Sequence, residues 1–266
     1  MQSGLRIALL LPAAALIGCT LPSTPPTDSE PASGNWLVSY YGSGVLPQVS
    51  GFVGALQFSS GSISGILTPE PPPNLTGLLL PTCTTFAPTA VTGTIDASNN
   101  LTLSLPIGGG TATITATIGS NPETPATGSF QIAGGTCAMS AASMTITEYA
   151  PVTGTYTGSL TNMQNGTASP VTAVLTQSTT ANGNGVFPLT GTVTLTGQCN
   201  ISFVISSSYS YVRGDLVEAL SGAPNTTSPI LSLWGYTDST ASTITRAALE
   251  GDQSGCVLYE GTLTRQ

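Results

Sequence analysis

The feature that most restricts the fold of this chain is a regular alternation of threonine with small or aliphatic residues. The clearest run is TATITATI, from Thr111 to Ile118, and Val193 and Leu195 stand between threonines in the same way. Successive side chains of a β-strand point to opposite faces of the sheet. Each such run therefore predicts a strand with one apolar face for the core and one hydroxyl face for water. Amphipathic helical spacing is nearly absent, so the sequence predicts an all-β protein.

Several landmarks recur along the chain at an offset of about 120 residues. GNW at Gly34–Trp36 corresponds to GTY at Gly154–Tyr156, and the segment Ala55–Gln57 corresponds to Val174–Thr176. The cysteines repeat in the same manner. We interpret this pattern as a duplication with its boundary near Pro151, which gives a first β domain over 35–151 and a second over 152–266.

Each copy contains eight runs that are bounded by turn residues. In the first copy, the predicted strands are 35–41, 52–59, 62–68, 89–97, 100–106, 111–118, 127–133 and 143–149. In the second copy, they are 154–161, 170–178, 186–196, 199–208, 211–220, 229–237, 242–250 and 256–265. Consecutive strands with short connections favour an antiparallel meander, and closing the meander removes exposed edges. We therefore predict two tandem antiparallel eight-stranded meander barrels, with two β-sandwiches as the alternative.

The amino-terminal part predicts export and a lipid anchor. Arg6 is followed by an apolar run that is too short to span a bilayer, so residues 1–18 are predicted to be a signal peptide. The run ends in Leu16-Ile17-Gly18-Cys19, which resembles the lipobox of bacterial lipoproteins. That resemblance implies cleavage before Cys19, a lipid on its thiol and usually a further acyl chain on its amine. The alternative is an ordinary signal peptide that is cleaved elsewhere.

The segment that begins at the cysteine predicts a tether and a location. Residues 19–34 comprise Cys19 and the Pro-, Ser- and Thr-rich segment TLPSTPPTDSEPASG, which we predict to be a disordered linker. In bacterial lipoproteins, Asp after the cysteine typically retains the protein in the inner membrane. The chain has Thr20 there, so the resemblance implies the bacterial cell envelope, lipid-anchored at the outer membrane.

Gly34 and Trp36 at the start of the first strand resemble the G-x-W signature of the lipocalins and related calycin barrels. In that family, a late arginine packs on the tryptophan. The second copy has Tyr156 in the tryptophan position and Arg265 near its end. The first copy departs from the pattern, because its last strand carries Glu148 and no arginine.

Beyond Cys19, the remaining cysteines are Cys83, Cys137, Cys199 and Cys256. Four cysteines allow three connectivities. The repeat favours one bridge within each copy, Cys83 with Cys137 and Cys199 with Cys256, in an oxidising envelope. A metal site is the alternative, but the chain lacks a C-x-x-C pair.

The composition excludes several chemistries. The chain has no histidine, and 4 Lys+Arg stand against 12 Asp+Glu. Catalytic triads and zinc sites that depend on imidazole are therefore excluded, and the scarcity of positive charge argues against nucleic acid as a partner. We predict no catalytic residues, no metal site and no cofactor.

A few local patterns nevertheless suggest sites. The closest acidic pairs are Asp215 with Glu218 and Glu250 with Asp252, and two carboxylates can hydrolyse glycosides. Arg213-Gly214-Asp215 spells an adhesion tripeptide, for which a hairpin turn is the simpler explanation. Asp96, Ser98 and Asn100 resemble part of a calcium loop, which a turn also explains. Five aromatic residues make the second copy the more aromatic and a candidate ligand binder, with core filling as the alternative: Phe203, Tyr209, Tyr211, Trp234 and Tyr236.

Three functions are consistent with these observations. The first is a non-enzymatic envelope lipoprotein with a structural or interaction role, whose partner is the membrane through its lipid and an unidentified envelope or surface component. The second is a carrier that encloses a small apolar ligand in a barrel. The third is an envelope carbohydrate hydrolase that uses paired carboxylates. The sequence favours the first, and hence a protein that is not an enzyme.

Overall fold

A computed structural model gives the fold of residues 34–40, 49–70, 86–121, 123–197, 199–223, 230–250 and 257–266. Within these ranges every regular element is a β-strand, and no helix that could cross a membrane is present. The predicted signal peptide, Cys19 and almost all of the predicted linker lie outside the described residues. Gly34, which the sequence places in the linker, already belongs to the first strand.

The first copy forms a closed barrel of eight antiparallel strands. They are β1 (Gly34–Tyr40), β2 (Gly51–Ser59), β3 (Ser62–Glu70), β4 (Thr89–Ile95), β5 (Asn100–Ile107), β6 (Gly110–Thr117), β7 (Ala126–Ala133) and β8 (Met139–Tyr149). Each strand pairs with the next along the chain, and β1 closes the barrel by pairing with β8. All eight predicted strands are present within a few residues of their predicted bounds.

The second copy also closes. Its strands are β9 (Gly154–Asn162), β10 (Ala168–Gln177), β11 (Phe187–Leu195), β12 (Ile201–Ile205), β13 (Tyr211–Arg213), β14 (Leu216–Leu220), β15 (Ser232–Thr237), β16 (Thr243–Glu250) and β17 (Leu258–Arg265). The two short strands β12 and β13 pair with successive parts of β11 and together occupy one position in the wall. The wall therefore has eight positions, and the alternative of two β-sandwiches is wrong.

One strand assignment in the second copy is incorrect. The predicted strand 211–220 is a hairpin, in which β13 turns back at Gly214 and Asp215 and Arg213 pairs with Leu216. Gly214 has φ of 57°, which a tight turn between antiparallel strands requires. The turn residues Arg213-Gly214-Asp215 mark the reversal, and the inward side changes there from Val212 to Val217, so the run is two short strands and not one.

The alternation of side chains places the core inside each barrel. Along β5 the residues are alternately exposed and buried from Asn100 to Ile107, and along β6 Ala112, Ile114 and Ala116 are buried. The inward side chains of the first barrel meet across its interior, where the rings of Phe52 and Phe130 make an edge-on contact with centroids 5.7 Å apart. The described parts of the barrel therefore enclose packed side chains.

The two copies share a landmark at the start of their first strands. Trp36 pairs with Glu148 across β1 and β8, and Tyr156 pairs with Arg265 across β9 and β17. Both aromatic side chains are fully buried. Arg265, which is exposed, and Glu148 thus occupy equivalent positions in the two barrels, each on the last strand opposite the aromatic residue of the first.

Candidate functional site

The outer surface of the second barrel carries a cluster of aromatic and charged side chains on β13, β14 and β15. We call the following residues the aromatic patch: Tyr211, Arg213, Glu218, Trp234 and Tyr236. Two cross-strand rows build it, because Tyr211 and Trp234 both pair with Glu218, and Arg213 and Tyr236 both pair with Leu216. Elsewhere, the outward faces of the strands are mainly threonine and serine, so this patch is chemically distinct.

The direction of these side chains is set by their neighbours. Val212, Val217 and Leu233 are fully buried in the core and alternate with the patch residues along the same strands. The patch residues therefore point away from the interior. Tyr236 is 38% exposed, which leaves its ring accessible to another molecule.

This placement corrects one expectation. The five aromatic residues of the second copy do not line a binding cavity together. Phe203 belongs to the core, and Tyr209 is exposed in the turn after β12. Tyr211, Trp234 and Tyr236 lie on the outer face, because each falls on the alternate side of a strand whose other side fills the core.

Tyr211 and Glu218 lie opposite each other at the centre of the patch, across β13 and β14. Burial raises the pKa of Tyr211 to about 12, and the neighbouring Glu218 carboxylate acts in the same direction. Tyr211 is therefore a neutral hydroxyl at physiological pH.

The patch borders the junction between the two barrels. Asn35 is buried, and its side-chain amide donates to the carbonyl of Gly214 and accepts from the Gly214 amide, both at 2.7 Å. A methyl group on Gly214 would lie 2.5 Å from Val53 Cγ2, and Ala55 packs with the core of the second barrel. Gly214 of the adhesion tripeptide is therefore enclosed between the barrels. The tripeptide is a hairpin turn that packs at the junction, which accounts for it without an adhesion role.

One sequence signal for this junction was available. Residues Gly51–Leu56 of β2 are all buried, although alternate side chains point to opposite faces. A strand that is apolar on both sides is covered on both sides. The uninterrupted apolar run in β2 thus marks the face of the first barrel on which the second one packs.

Charged groups surround the junction on the patch side. Arg213 Nη2 lies 4.0 Å from Glu70 Oε1. Burial raises the pKa of Glu70, which Arg213 partly offsets and the Asp215 charge reinforces, and burial also raises the pKa of Asp215. The two carboxylates of the predicted acidic pair therefore have different neighbours. Asp215 faces the junction, and Glu218 lies opposite Tyr211 on the neighbouring strand.

A second unusual group lies at the end of the first barrel where β1 begins. Burial, reinforced by the charge of Glu123, raises the pKa of Glu148 to about 7. The neighbouring Trp36 is fully buried, and its indole N–H has no hydrogen-bond partner within the described residues. This rim holds one carboxyl group that gains or loses its proton near neutral pH.

The other predicted sites are turns or lie partly outside the described residues. Asp96 accepts hydrogen bonds from the Ser98 amide, the Asn100 amide and the Asn100 side chain, which is a hairpin turn between β4 and β5. No cluster of three or more metal-ligating side chains occurs in the described ranges. Glu250 ends β16, and its predicted partner Asp252 lies outside those ranges.

The described residues include one cysteine of each predicted disulfide. Cys137 is buried at the turn after β7 and Cys199 is buried before β12, and neither has a free thiol. Cys83 and Cys256 lie outside the described residues, so the pairing stays a prediction.

Two open grooves lie on the outer wall of the first barrel, with volumes of about 300 and 420 Å³. Thr127 and Gly128 line both, and the remaining lining residues include neither aromatic nor charged side chains. Their polar side chains are hydroxyls and the Asn100 amide, and they are weaker candidates than the aromatic patch.

Comparison with known proteins gives no relative from which a role could be transferred. No protein-family model, no curated protein and no solved structure matches the chain. The lipoprotein and calycin resemblances therefore rest on the residues that suggested them.

Proposed function

We propose that this chain is a non-enzymatic lipoprotein of the bacterial cell envelope, anchored at the outer membrane through Cys19, and that it acts by binding a protein partner through the aromatic patch. The observation that supports partner binding is the composition and outward position of the aromatic patch. Trp, Tyr and Arg are the side chains that contribute most to protein interfaces. They are gathered here on the outer face of a barrel whose surface is otherwise dominated by hydroxyl groups.

The test of the patch is a binding measurement that compares a variant of the patch with a variant of an exposed tyrosine outside it. Purified wild-type chain should bind saturably to isolated envelopes of the source bacterium, and Tyr236→Ala together with Trp234→Ala should reduce that binding at least tenfold. Tyr209→Ala is the matched control, because Tyr209 is 42% exposed but lies outside the patch. Equal binding by all variants would contradict the role of the aromatic patch in binding a partner.

The anchor has a separate test. Mass spectrometry of the mature chain should find an amino-terminal Cys19 that carries a diacylglycerol and a further acyl chain. Cys19→Ser should release the protein from membrane fractions. An unmodified Cys19, or cleavage at another residue, would contradict the anchor and leave the patch untouched.

We further propose the disulfides Cys83–Cys137 and Cys199–Cys256. The burial of Cys137 and Cys199 and the repeat of the spacing support them. Non-reducing peptide mapping should recover these two cross-linked peptides, and any other connectivity would contradict the pairing.

The two alternative functions make different predictions. A carrier of a small apolar ligand requires space inside a barrel, whereas Phe52 and Phe130 meet across the first interior. Native mass spectrometry that found a co-purified small molecule would favour the carrier. A carbohydrate hydrolase would lose turnover of a glycan panel in the double variant Asp215→Asn, Glu218→Gln.

A further inference from the structure

The turn between β10 and β11 contains two consecutive Asn-Gly dipeptides, Asn182-Gly183 and Asn184-Gly185. A third, Asn165-Gly166, lies in the turn between β9 and β10. In such a dipeptide the backbone nitrogen of the glycine can reach the asparagine side chain, because glycine has no side chain of its own to obstruct the approach. All three asparagines are exposed, so their chemistry differs only through the contacts of each turn.

The first difference is the state of the attacking nitrogen. The Gly166 amide donates to the Asn162 carbonyl at 2.8 Å, and the Gly185 amide donates to the Asn182 carbonyl at 2.9 Å. The Gly183 amide has no acceptor among the described residues, and nothing lies within 4 Å of a methyl group placed at Gly183. Of the three, the Gly183 nitrogen can therefore attack without first breaking a hydrogen bond.

The second difference is the environment of the carbonyl that is attacked. Asn182 Oδ1 accepts hydrogen bonds from the Asn184 amide at 2.9 Å and the Val186 amide at 3.4 Å. Attack at Cγ puts negative charge on this oxygen, and fixed N–H donors that already point at it stabilise that charge, as in an oxyanion hole. Asn182 thus combines an unengaged attacking amide with donors for the developing charge.

The first barrel has the same turn with aspartate in the place of this asparagine. Asp96 Oδ1 accepts the amides of Ser98 and Asn100 at 2.8 and 2.9 Å. In both turns, the amide of the first residue also donates to the carbonyl four positions later, Asp96 to Asn100 and Asn182 to Val186. Hydrogen bonds from Asn100 and Ser98 lower the pKa of Asp96. A carboxylate therefore suits this turn at least as well as an amide.

We propose that Asn182 is a site of spontaneous deamidation, with water as the co-reactant. The Gly183 nitrogen bonds to Asn182 Cγ, its proton passes through solvent to the departing amino group, and the Cγ–Nδ2 bond breaks to release ammonia. Water then opens the cyclic imide at one of its two carbonyl carbons and leaves aspartate or isoaspartate at position 182. Either product adds one negative charge to the turn.

The two products differ in their structural effect. Aspartate keeps the backbone of the turn and the contacts seen at Asp96. Isoaspartate adds a backbone atom three residues before Gly185, which is buried against Ile66 of the first barrel. The modification depends on neither the lipid anchor nor the aromatic patch, so its failure and the failure of the proposed function are distinguishable.

The test is peptide mapping by mass spectrometry of the purified full chain during incubation at mildly alkaline pH. In the folded chain, Asn182 should convert to the acid at least threefold faster than Asn165 and Asn184. In urea the three should convert at similar rates, because the contacts of the turns are lost. Gly183→Ala should slow conversion of Asn182 at least tenfold, since the methyl group obstructs attack. Gly166→Ala is the matched control and should slow conversion of Asn165 alone.

Conversion of Asn182 no faster than that of the other two in the folded chain would overturn the proposal. So would the same preference for Asn182 in urea, because the turn would then play no part in it. The variant Asn182→Asp tests the product directly, and its urea unfolding midpoint should equal or exceed that of the wild type. A lower midpoint would contradict the fit of a carboxylate to this turn.

Discussion

At the scale of single residues, the carboxyl groups of this acidic chain have opposite environments. Asp238 lies in the turn between β15 and β16, where burial alone would raise its pKa. Hydrogen bonds from the Ser242 and Thr243 hydroxyls and the Ser242 amide instead hold that pKa well below its usual range. Glu148 has no comparable set of donors in the described residues, and burial raises its pKa. Hydroxyl side chains thus stabilise one carboxylate, and their absence favours the protonated form of the other.

Glu148 should make the chain less stable as pH rises towards neutrality. Its pKa is about 7 in the folded chain and near 4.5 when unfolded. The folded state therefore binds the proton more tightly, and its contribution is complete below the unfolded pKa. The free energy of unfolding should fall by roughly 3 kcal/mol between about pH 4.5 and about pH 7 from this group. Urea denaturation at a series of pH values measures it.

Glu148→Gln should remove most of this pH dependence. Glu260→Gln is the control, because it removes a carboxylate from the exposed face of β17. A Glu148→Gln chain whose stability still follows the wild-type pH profile would show that another group is responsible.

At the scale of elements, the hairpin of β13 and β14 is the part that the sequence pattern misplaces and the part that joins the barrels. The residues Arg213-Gly214-Asp215 are ordinary turn residues, so a turn there could be predicted. The partner of that turn could not, because Leu37 and Val53 belong to strands more than half the chain away. Contacts between distant segments leave no local periodicity in the sequence.

Gly214→Ala should destabilise the chain by about 2–4 kcal/mol, since it combines a left-handed backbone with a clash against Val53. Gly166→Ala is the matched control. Gly166 also has a positive φ, of 73°, but nothing lies within 4 Å of a methyl group there. It should lose only about 1 kcal/mol. Thermal or urea unfolding gives both values, and equal losses would contradict close packing at the junction.

At the scale of the whole molecule, the two barrels are joined by a buried interface and not only by the short connection between them. β1, β2 and β3 of the first barrel present Leu37, Val53 and Ile66 on their outer faces, against Gly214 and Gly185 of the second barrel. Such an interface couples the folding of the two halves. The wild type should therefore unfold in one cooperative transition despite its two cores.

Asn35→Ala should weaken that coupling. It removes two hydrogen bonds and leaves the buried Gly214 amide and carbonyl without their partner, at a cost of about 2–4 kcal/mol. Differential scanning calorimetry should then resolve two transitions. Asn184→Ala, in an exposed turn, should keep one. A single unshifted transition in Asn35→Ala would contradict a role for this residue in joining the barrels.

The sequence by itself determined the secondary structure, the duplication and the closed meander, because alternation along a strand and turn residues between strands are local signals. It also contained the residues of the aromatic patch, but their direction depends on which side of each strand faces the core. The tertiary structure alone decided the contacts of Asn35 with Gly214 at the junction and the outward direction of the aromatic patch. The first depends on strands that are distant in the chain, and the second depends on which side of β13, β14 and β15 faces the core, so neither is encoded locally in a single sequence.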